Sequence, residues 1–368
     1  MTKYIHEHDD WPNFHWRQEA LVQPLAAARL RQGQLIGSLE SLGFSQQNEA
    51  VLKAFTQDVV KSSEIEGEFL NPDQVRSSIA RRLGLDIAGL TPADRRVEGV
   101  VDMTLEATRN YSQPLTQERL LDWHRSLFPI APQRVQVGRW RDDTAGPMQV
   151  VSGAIGLEKV HYEAPAAERL ESEMSAFFQW ANRPGDLDPL LRAAQAHLWF
   201  VNIHPFDDGN GRVARAIADW ALARSENRAR RCYSMSAQIQ LERKAYYAIL
   251  EATGKGTLDI TDWMLWFLAC LDRAILGAQA SLKAALEKEA FWKTCAHLSL
   301  NERQRGMLNR LLDGEFKGKL TTTKWALLMK CSHDTAQRDI VGLIGHGILV
   351  KEAAGGRSTS YSLRPQTL

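Results

Sequence analysis

The densest run of reactive side chains is His204-Pro205-Phe206-Asp207-Asp208-Gly209-Asn210-Gly211-Arg212-Val213-Ala214-Arg215. His204 closes a helix-forming stretch, and its near-neutral pKa suits a general base. Gly209 and Gly211 allow backbone conformations that a side chain forbids. A glycine turn opening a helix aims several N–H groups into one hollow, an anion nest reinforced by the positive end of the helix dipole. Arg212 and Arg215 are three apart and share a helix face. Val213, Ala216, Ile217 and Trp220 fall on the opposite face, which is expected to be buried. Two guanidiniums above an N–H nest describe a polyphosphate site. Asp208 adds a carboxylate of the kind Mg²⁺ takes together with phosphate oxygens. The P-loop route to phosphate is absent, since Gly254-Lys255-Gly256 lacks the upstream glycine and the following Ser or Thr.

These residues need helices on both sides. Leu190 to Asn202 has the apolar content of a helix started by Asp188-Pro189, and a further helix begins near Gly211. Leu21, Leu25, Ala28, Leu35 and Leu39 mark an amphipathic stretch in the first fifty residues. A second helix spans about Gln47 to Ile65, with Val51, Phe55, Val59 and Val60 on one face and Gly67 as its stop. Asn71-Pro72 reads as a cap followed by proline at the first helical position. Residues 148–163 differ: Val150-Val151-Ser152-Gly153 and Lys159-Val160-His161-Tyr162 are β-prone runs about a turn, so a hairpin is inserted in a helical domain.

The chain has 368 residues, 45 Lys+Arg, 44 Asp+Glu and 44% hydrophobic residues. This balance excludes a wholly basic nucleic-acid coat and an acidic disordered chain. Four scattered cysteines, Cys232, Cys270, Cys295 and Cys331, show no paired spacing and suggest a reducing compartment. No apolar run suggests a membrane span, and the first residues lack the apolar stretch of a secretion signal. A cytoplasmic location with no membrane partner is expected.

From Asn301 the pattern becomes three short helices and a Gly-tipped hairpin around Gly355-Gly356-Arg357, the order of a winged helix-turn-helix. Residues 301–368 hold eleven Lys or Arg against six Asp or Glu. That excess makes DNA a possible partner, with Thr335, Gln337 and Arg338 on the recognition helix and Arg357 on the wing. Winged helices serve equally as protein-contact or dimerisation modules.

Residues 204–215 resemble the Fic family signature His-x-Phe-x-Asp/Glu-Gly-Asn-Gly-Arg-x-x-Arg, and every fixed position matches. The resemblance implies a mainly α fold: a Fic-type helical core with an inserted β-hairpin flap, a helical N-terminal extension and a C-terminal winged helix-turn-helix. The corresponding divisions are 1–60 for the extension, 61–275 for the Fic domain, 276–300 for a linking helix and 301–368 for the winged helix. It also implies transfer of AMP from ATP, with Mg²⁺, to a Ser, Thr or Tyr hydroxyl of a target protein. His204 would then deprotonate the attacking hydroxyl, Phe206 anchor the loop and Asp208 hold Mg²⁺. Gly209, Asn210 and Gly211 would cradle the phosphates, with Arg212 on the α/β region and Arg215 on the γ-phosphate. Asp207, at the variable position, is a solvated neighbour or a second metal ligand.

Ser62-Ser63-Glu64-Ile65-Glu66-Gly67 is similar to the family's inhibitory motif Ser/Thr-x-x-x-Glu-Gly/Asn. The resemblance pairs Glu66 with Arg215, so that ATP binds unproductively, with Ser62 and Gly67 as the motif's other fixed positions. The hairpin resembles the family flap that pairs its edge with a target segment, giving Lys159, Val160 and His161 as contacts. Tyr246-Tyr247 resembles an aromatic pair near the adenine, and adjacent residues cannot share a helix face, so one of the two belongs to the core. A homodimer is expected. Two other readings stand beside this one: removal of AMP at the same site, with Glu66 orienting a water, and a nucleotide-sensing DNA-binding regulator.

Overall fold

The computed structural model describes residues 4–364 apart from 88, 134, 145, 154–158, 315, 317 and 353–358. The described chain divides into Met1–Gln279 and Ala280–Leu368.

In the first unit, helix α1 (Gln18–Glu40) buries Leu21, Ala28, Leu35 and Leu39. Helix α2 (Phe44–Ile65) buries Val51, Leu52, Phe55 and Val59 and ends at Glu66 and Gly67. Asn71 caps α3 (Pro72–Leu83) by accepting from the Asp73 and Gln74 N–H groups, as the Asn-Pro pair predicts. Helices α4 (Arg95–Arg109) and α5 (Gln117–Leu127) follow, capped by Asp94 and Thr116. Strands β1 (Gln149–Ser152) and β2 (Lys159–Glu163) form an antiparallel hairpin before α6 (Leu170–Asn182). Then come α7 (Pro189–Ile203), α8 (Asn210–Glu226), α9 (Met235–Leu241), α10 (Arg243–Gly254) and α11 (Thr261–Thr294), whose residues from Ala280 onward belong to the second unit. Proline at the first position of α7 and the Asp188 cap set its start, and Arg29 of α1 grips the same Asp188 carboxylate with Nε and Nη2 at 3.2 and 2.9 Å.

Helix α8 is the centre of this unit. It packs against α7, α4, α2 and α5. Ala214, Ala216, Ala218, Ala221 and Ala223 are all buried, and such small side chains let neighbouring helices approach closely. Only one face of α8 was expected to be buried. In the structure Arg212 and Arg215 are buried as well, because carboxylates from the end of α2 cover them.

A buried ion cluster ties α2 to α8. The Arg231 guanidinium contacts Asp219 of α8 and lies 3.3 Å from Asp58 of α2, while Asp58 also accepts from Ser234 Oγ at 2.5 Å and from the Ser236 N–H at 3.1 Å. Removing one member strands opposite charges in a dry interior, at a cost of about 3–5 kcal/mol. Arg231→Ala should therefore lower the thermal midpoint by several degrees in calorimetry, whereas an exposed-arginine control such as Arg125→Ala should leave it nearly unchanged.

The aromatic start of the chain packs onto α7, with Trp11 and Phe14 edge-on to Trp199 at 6.4 and 5.9 Å. Helix α11 qualifies the membrane expectation, since by length and apolar composition it could span a bilayer. Its Trp263, Met264, Phe267, Leu268, Leu271 and Ile275 are buried in the helical core instead.

The second unit contains α12 (Glu302–Leu312), α13 (Thr322–Leu328) and α14 (His333–Gly345), then β3 (Leu349–Lys351) paired antiparallel with β4 (Tyr361–Leu363). Met307, Leu308, Trp325, Ala336, Ile340 and Leu343 form its core. Thr335, Gln337 and Arg338 lie on α14, but the Gln337 carboxamide already accepts from Thr322 Oγ1 at 3.0 Å. Gly355–Arg357 lie outside the described residues, as do residues 154–158 of the inserted hairpin segment.

Candidate active site

The loop between α7 and α8 is fixed from below. His204 terminates α7 in the left-handed region at φ 52°, ψ 57°, while its N–H still donates to Phe200 at 3.0 Å. Phe206 is fully buried and stacks flat on His124 of α5, 4.0 Å between ring centres. The Asn210 side chain closes the loop on Phe206: Oδ1 accepts the Phe206 N–H at 3.0 Å, and Nδ2 donates to its carbonyl at 2.7 Å. Both ends of that carboxamide are thus bonded inside the protein, leaving the backbone of the turn to face a ligand. Gly209 stands at φ 84°, where an added Cβ would press within 3.2 Å of Leu127 and Phe128.

His204 carries its proton on Nδ1, because that atom faces the Val201 carbonyl at 3.1 Å and can only donate there. Nε2 is left with its lone pair in the form a general base needs. Burial pushes the His204 pKa down to about 4, partly offset by the Val201 contact. The ring is neutral at physiological pH and charges only as pH falls through that value. Activity that depends on this base should keep its acid limb in kcat/KM well below pH 6.5. A limb centred at 6.5 or above would contradict this burial-lowered pKa.

Two residues that carried no sequence signal hold this histidine and its loop. Arg141 is buried, donates Nε to the His204 carbonyl at 2.8 Å and its own N–H to the Pro205 carbonyl at 2.9 Å, and pairs with Asp143 at 2.8 Å. His124 accepts the Gly138 N–H on Nδ1 at 2.9 Å, so Nε2 carries its proton and donates to the Asp208 carbonyl at 3.1 Å. Burial lowers the His124 pKa to about 4, which keeps this neutral, single-tautomer arrangement.

The two signature arginines meet the end of α2. Gly67 is left-handed at φ 85°, and the Glu68 N–H donates to the Ser63 carbonyl at 3.0 Å while the Gly67 N–H donates to Glu64 at 3.0 Å. This is a Schellman ending with Glu66 at the cap. Ser62 and Glu66, one helical turn apart, both reach Arg215. Its Nη1 lies 2.8 Å from Glu66 Oε1, Nε donates to Ser62 Oγ at 2.9 Å, and Nη2 donates to the Ser62 carbonyl at 2.8 Å. Glu66 also sits against the start of α8, where a Cβ on Gly211 would fall 2.2 Å from Oε1. Only glycine leaves room for an anionic group there. The reversal at Gly67 brings a second carboxylate, Glu68, onto Arg212 Nη1 at 2.6 Å. The motif spacing singled out Glu66, and Glu68 is a contact it gave no sign of.

Asp208 is exposed, accepts the Gly209 N–H at 2.5 Å and lies 3.6 Å from Arg212. Asp207 is held by the Gln136 N–H at 2.8 Å. Among the described residues no group of three or more His, Cys, Asp or Glu side chains is placed to hold a metal by itself. One exposed carboxylate suits an ion that brings phosphate ligands with it, as Mg²⁺ does.

A cavity of about 730 Å³ opens above the loop, lined by His204, residues 207–211, Glu66, Tyr246, Tyr247 and the hairpin. The tyrosine pair divides as adjacency requires. Tyr246 is buried and bonded to His197 Nε2 at 2.8 Å, whereas Tyr247 is 38% exposed and its hydroxyl lies 3.3 Å from the Ile65 carbonyl. Arg243, also of α10, donates to the same carbonyl at 2.8 Å. Lys159, Val160 and His161 are on β2: the Lys159 ammonium is exposed 3.7 Å from Glu251, Val160 pairs with Val151, and His161 is a cavity residue.

The fold and this loop define a Fic-type helical domain. Residues 114–222 match the Fic/DOC family, and residues 4–85 match a family described as a domain of unknown function, DUF4172. The overall fold is similar to a Fic family protein from Desulfovibrio desulfuricans, with TM-score 0.52 and 20% identity over 96% of this chain and 98% of that one. A Fic domain-containing signaling protein from Bacteroides thetaiotaomicron aligns with TM-score 0.51 and 20% identity over 72% and 97% of the two chains. The chain is 26% identical over 243 residues to the protein adenylyltransferase Fic of Nematostella vectensis, covering 63% of this chain and 50% of the relative. It is 25% identical over 275 residues to that of Drosophila persimilis, covering 70% and 48%. The chain thus spans about half the length of the curated relatives it matches.

Proposed function

We propose that this protein transfers AMP from ATP to a Ser, Thr or Tyr hydroxyl of a target protein, and that Glu66 restrains the reaction. The observation that carries the reading is that His204, the Gly209–Gly211 helix start and Glu66 line one cavity, while the two buried signature arginines are each paired with a carboxylate, Arg215 with Glu66 and Arg212 with Glu68. The names of the curated relatives agree with it.

His204 Nε2 takes the proton of the incoming hydroxyl, whose oxygen attacks the α-phosphorus as pyrophosphate departs. The Val201 carbonyl holds the ring in the tautomer this step uses, and Arg141 fixes the His204 backbone. The helix start and Arg212 stabilise charge developing on the phosphate oxygens, and fixed donors of this kind supply much of a transfer enzyme's rate. Asp208 is placed to hold Mg²⁺, which would neutralise triphosphate charge when bound. Arg215 takes the γ-phosphate once Glu66 leaves it, since carboxylate and phosphate compete for one guanidinium. The β1–β2 hairpin presents the target segment beside the cavity.

A second reading, removal of AMP, is favoured by one observation: Glu66 itself lines the cavity and can orient a water there. The test is incubation of the protein with ATP, Mg²⁺ and a cell lysate, followed by mass spectrometry. An adenylyl group on hydroxyl side chains supports the proposal. A phosphoryl group, or no adduct with either wild type or Glu66→Gly, overturns it.

A further inference from the structure

Residues 4–8 close on themselves in a single turn at the foot of the β1–β2 hairpin. The Glu7 carboxylate accepts the Tyr4 N–H at 2.6 Å, and the Glu7 N–H donates to the Tyr4 carbonyl at 2.9 Å. The turn puts Ile5 and His6 inside, and both are buried. The Tyr4 and His6 rings meet Tyr162 of β2 edge-on, at 5.3 and 5.9 Å. His6 Nε2 lies 2.9 Å from the carbonyl of Glu163, the last residue of β2. A carbonyl only accepts, so Nε2 carries the proton and donates.

A tether positions a strand only if its own anchor holds. His8 Nε2 donates to the Gly256 carbonyl just beyond α10 at 3.1 Å, Trp11 Nε1 donates to Glu173 of α6 at 2.8 Å, and the His15 N–H donates to the Leu258 carbonyl at 3.0 Å. The segment is thus fastened to the core at three points besides the hairpin. The other side of the hairpin's foot is tied to the reaction loop. The Tyr162 hydroxyl donates to the Asn202 carbonyl at 2.8 Å, and Arg141, which holds the His204 carbonyl, donates Nη2 to the Pro165 carbonyl at 2.5 Å. Glu163 pairs with Gln149 across the hairpin, so a shift at Glu163 carries β1 with it. Val150, Val151 and Ser152 of β1 line the cavity that also holds His204.

We propose that residues 4–8 set the position of the hairpin during transfer, with His6 as the positioning residue. The inference rests on the reading above, in which the hairpin presents the target segment beside the cavity. An acceptor hydroxyl laid along the hairpin must meet His204 Nε2 and the α-phosphorus together, and a misplacement of about 1 Å costs on the order of 10²-fold in rate. His6 is not a cavity-lining residue and acts through Glu163. The start of the 4–85 module, matched to a domain of unknown function, thereby acquires a role in placing the acceptor.

The experiment uses the full chain in the Glu66→Gly form with α-phosphate-labelled ATP, Mg²⁺ and lysate. It compares His6→Leu, which keeps the bulk and loses the donor, with His6→Gln, which keeps a donor at similar reach. His6→Leu should lower label on lysate proteins by about tenfold while ATP affinity by equilibrium dialysis stays unchanged. His6→Gln should recover most of the label. Amide exchange read by mass spectrometry should quicken in β1 and β2 of His6→Leu and stay unchanged in α7 and α8. Undiminished label in His6→Leu, an equal loss in His6→Gln, or a fall in ATP affinity in step with the label overturns this inference and leaves the transfer reading standing. Unaltered exchange in β1 and β2 does the same. No label with the Glu66→Gly parent overturns both.

Discussion

Glu66→Gly should transfer AMP faster than wild type, although substitutions beside an active site usually slow an enzyme. The carboxylate lies 2.8 Å from Arg215 Nη1 and against the Gly211 backbone, in the space a terminal phosphate needs. Removing it returns one guanidinium to the ligand. A charge-assisted contact contributes about 1.5–3 kcal/mol, so the rate at fixed ATP and Mg²⁺ should rise about ten- to a hundredfold. Arg215 keeps its two bonds to Ser62 and so stays in place. Two further results separate relief of inhibition from a general loosening. Added ATP should raise the thermal midpoint of Glu66→Gly more than that of wild type, because ligand now binds where the carboxylate stood. Glu66→Gly/Arg215→Ala should lose most of the gain, whereas unrelated effects would add. If Glu66→Gly is no faster, and also fails to remove AMP from a modified protein that wild type processes, Glu66 is instead positioning a hydrolytic water.

His204→Ala should leave ATP affinity nearly unchanged and lower transfer to a target about 10²–10⁴-fold. The ring bonds the Val201 carbonyl, and its backbone carries the Arg141 contact, which alanine retains. Binding by equilibrium dialysis and single-turnover rates at saturating ATP separate the two effects. Near wild-type transfer at saturation would remove His204 from the mechanism.

Local features of this site were legible in the sequence because they depend on nearest neighbours. Proline after Asp188 starts α7, glycine at 209 permits the turn, and glycine at 67 ends α2. Ser62 and Glu66 share a face through helical spacing alone, and adjacency puts one of Tyr246 and Tyr247 inside, while packing decides that it is Tyr246. What escaped the sequence is long in range. Arg141 reaches His204 across 63 positions, His124 reaches Asp208 across 84, and Arg212 reaches Glu68 across 144. No spacing rule links such residues, since tertiary packing brings them together. The burial of Arg212 and Arg215 escaped for the same reason: an isolated α8 reads as amphipathic, and only α2 supplies carboxylates to cover the polar face. The one-residue register slip of the β1–β2 hairpin, where Val150 pairs with Tyr162 and Val151 with Val160, is equally silent, because β-propensity fixes the existence of a strand and leaves its register to its partner.

The position of the label distinguishes the transfer proposed here from every phosphoryl transfer. Glu66→Gly protein is mixed with lysate, Mg²⁺ and ATP labelled at either the α- or the γ-phosphate, and lysate proteins are counted for incorporated label. The account predicts α-label incorporation well above wild type, no γ-label, and loss of the signal in Glu66→Gly/His204→Ala. Incorporation of γ-label, or α-label on lysate proteins undiminished without His204, would contradict it.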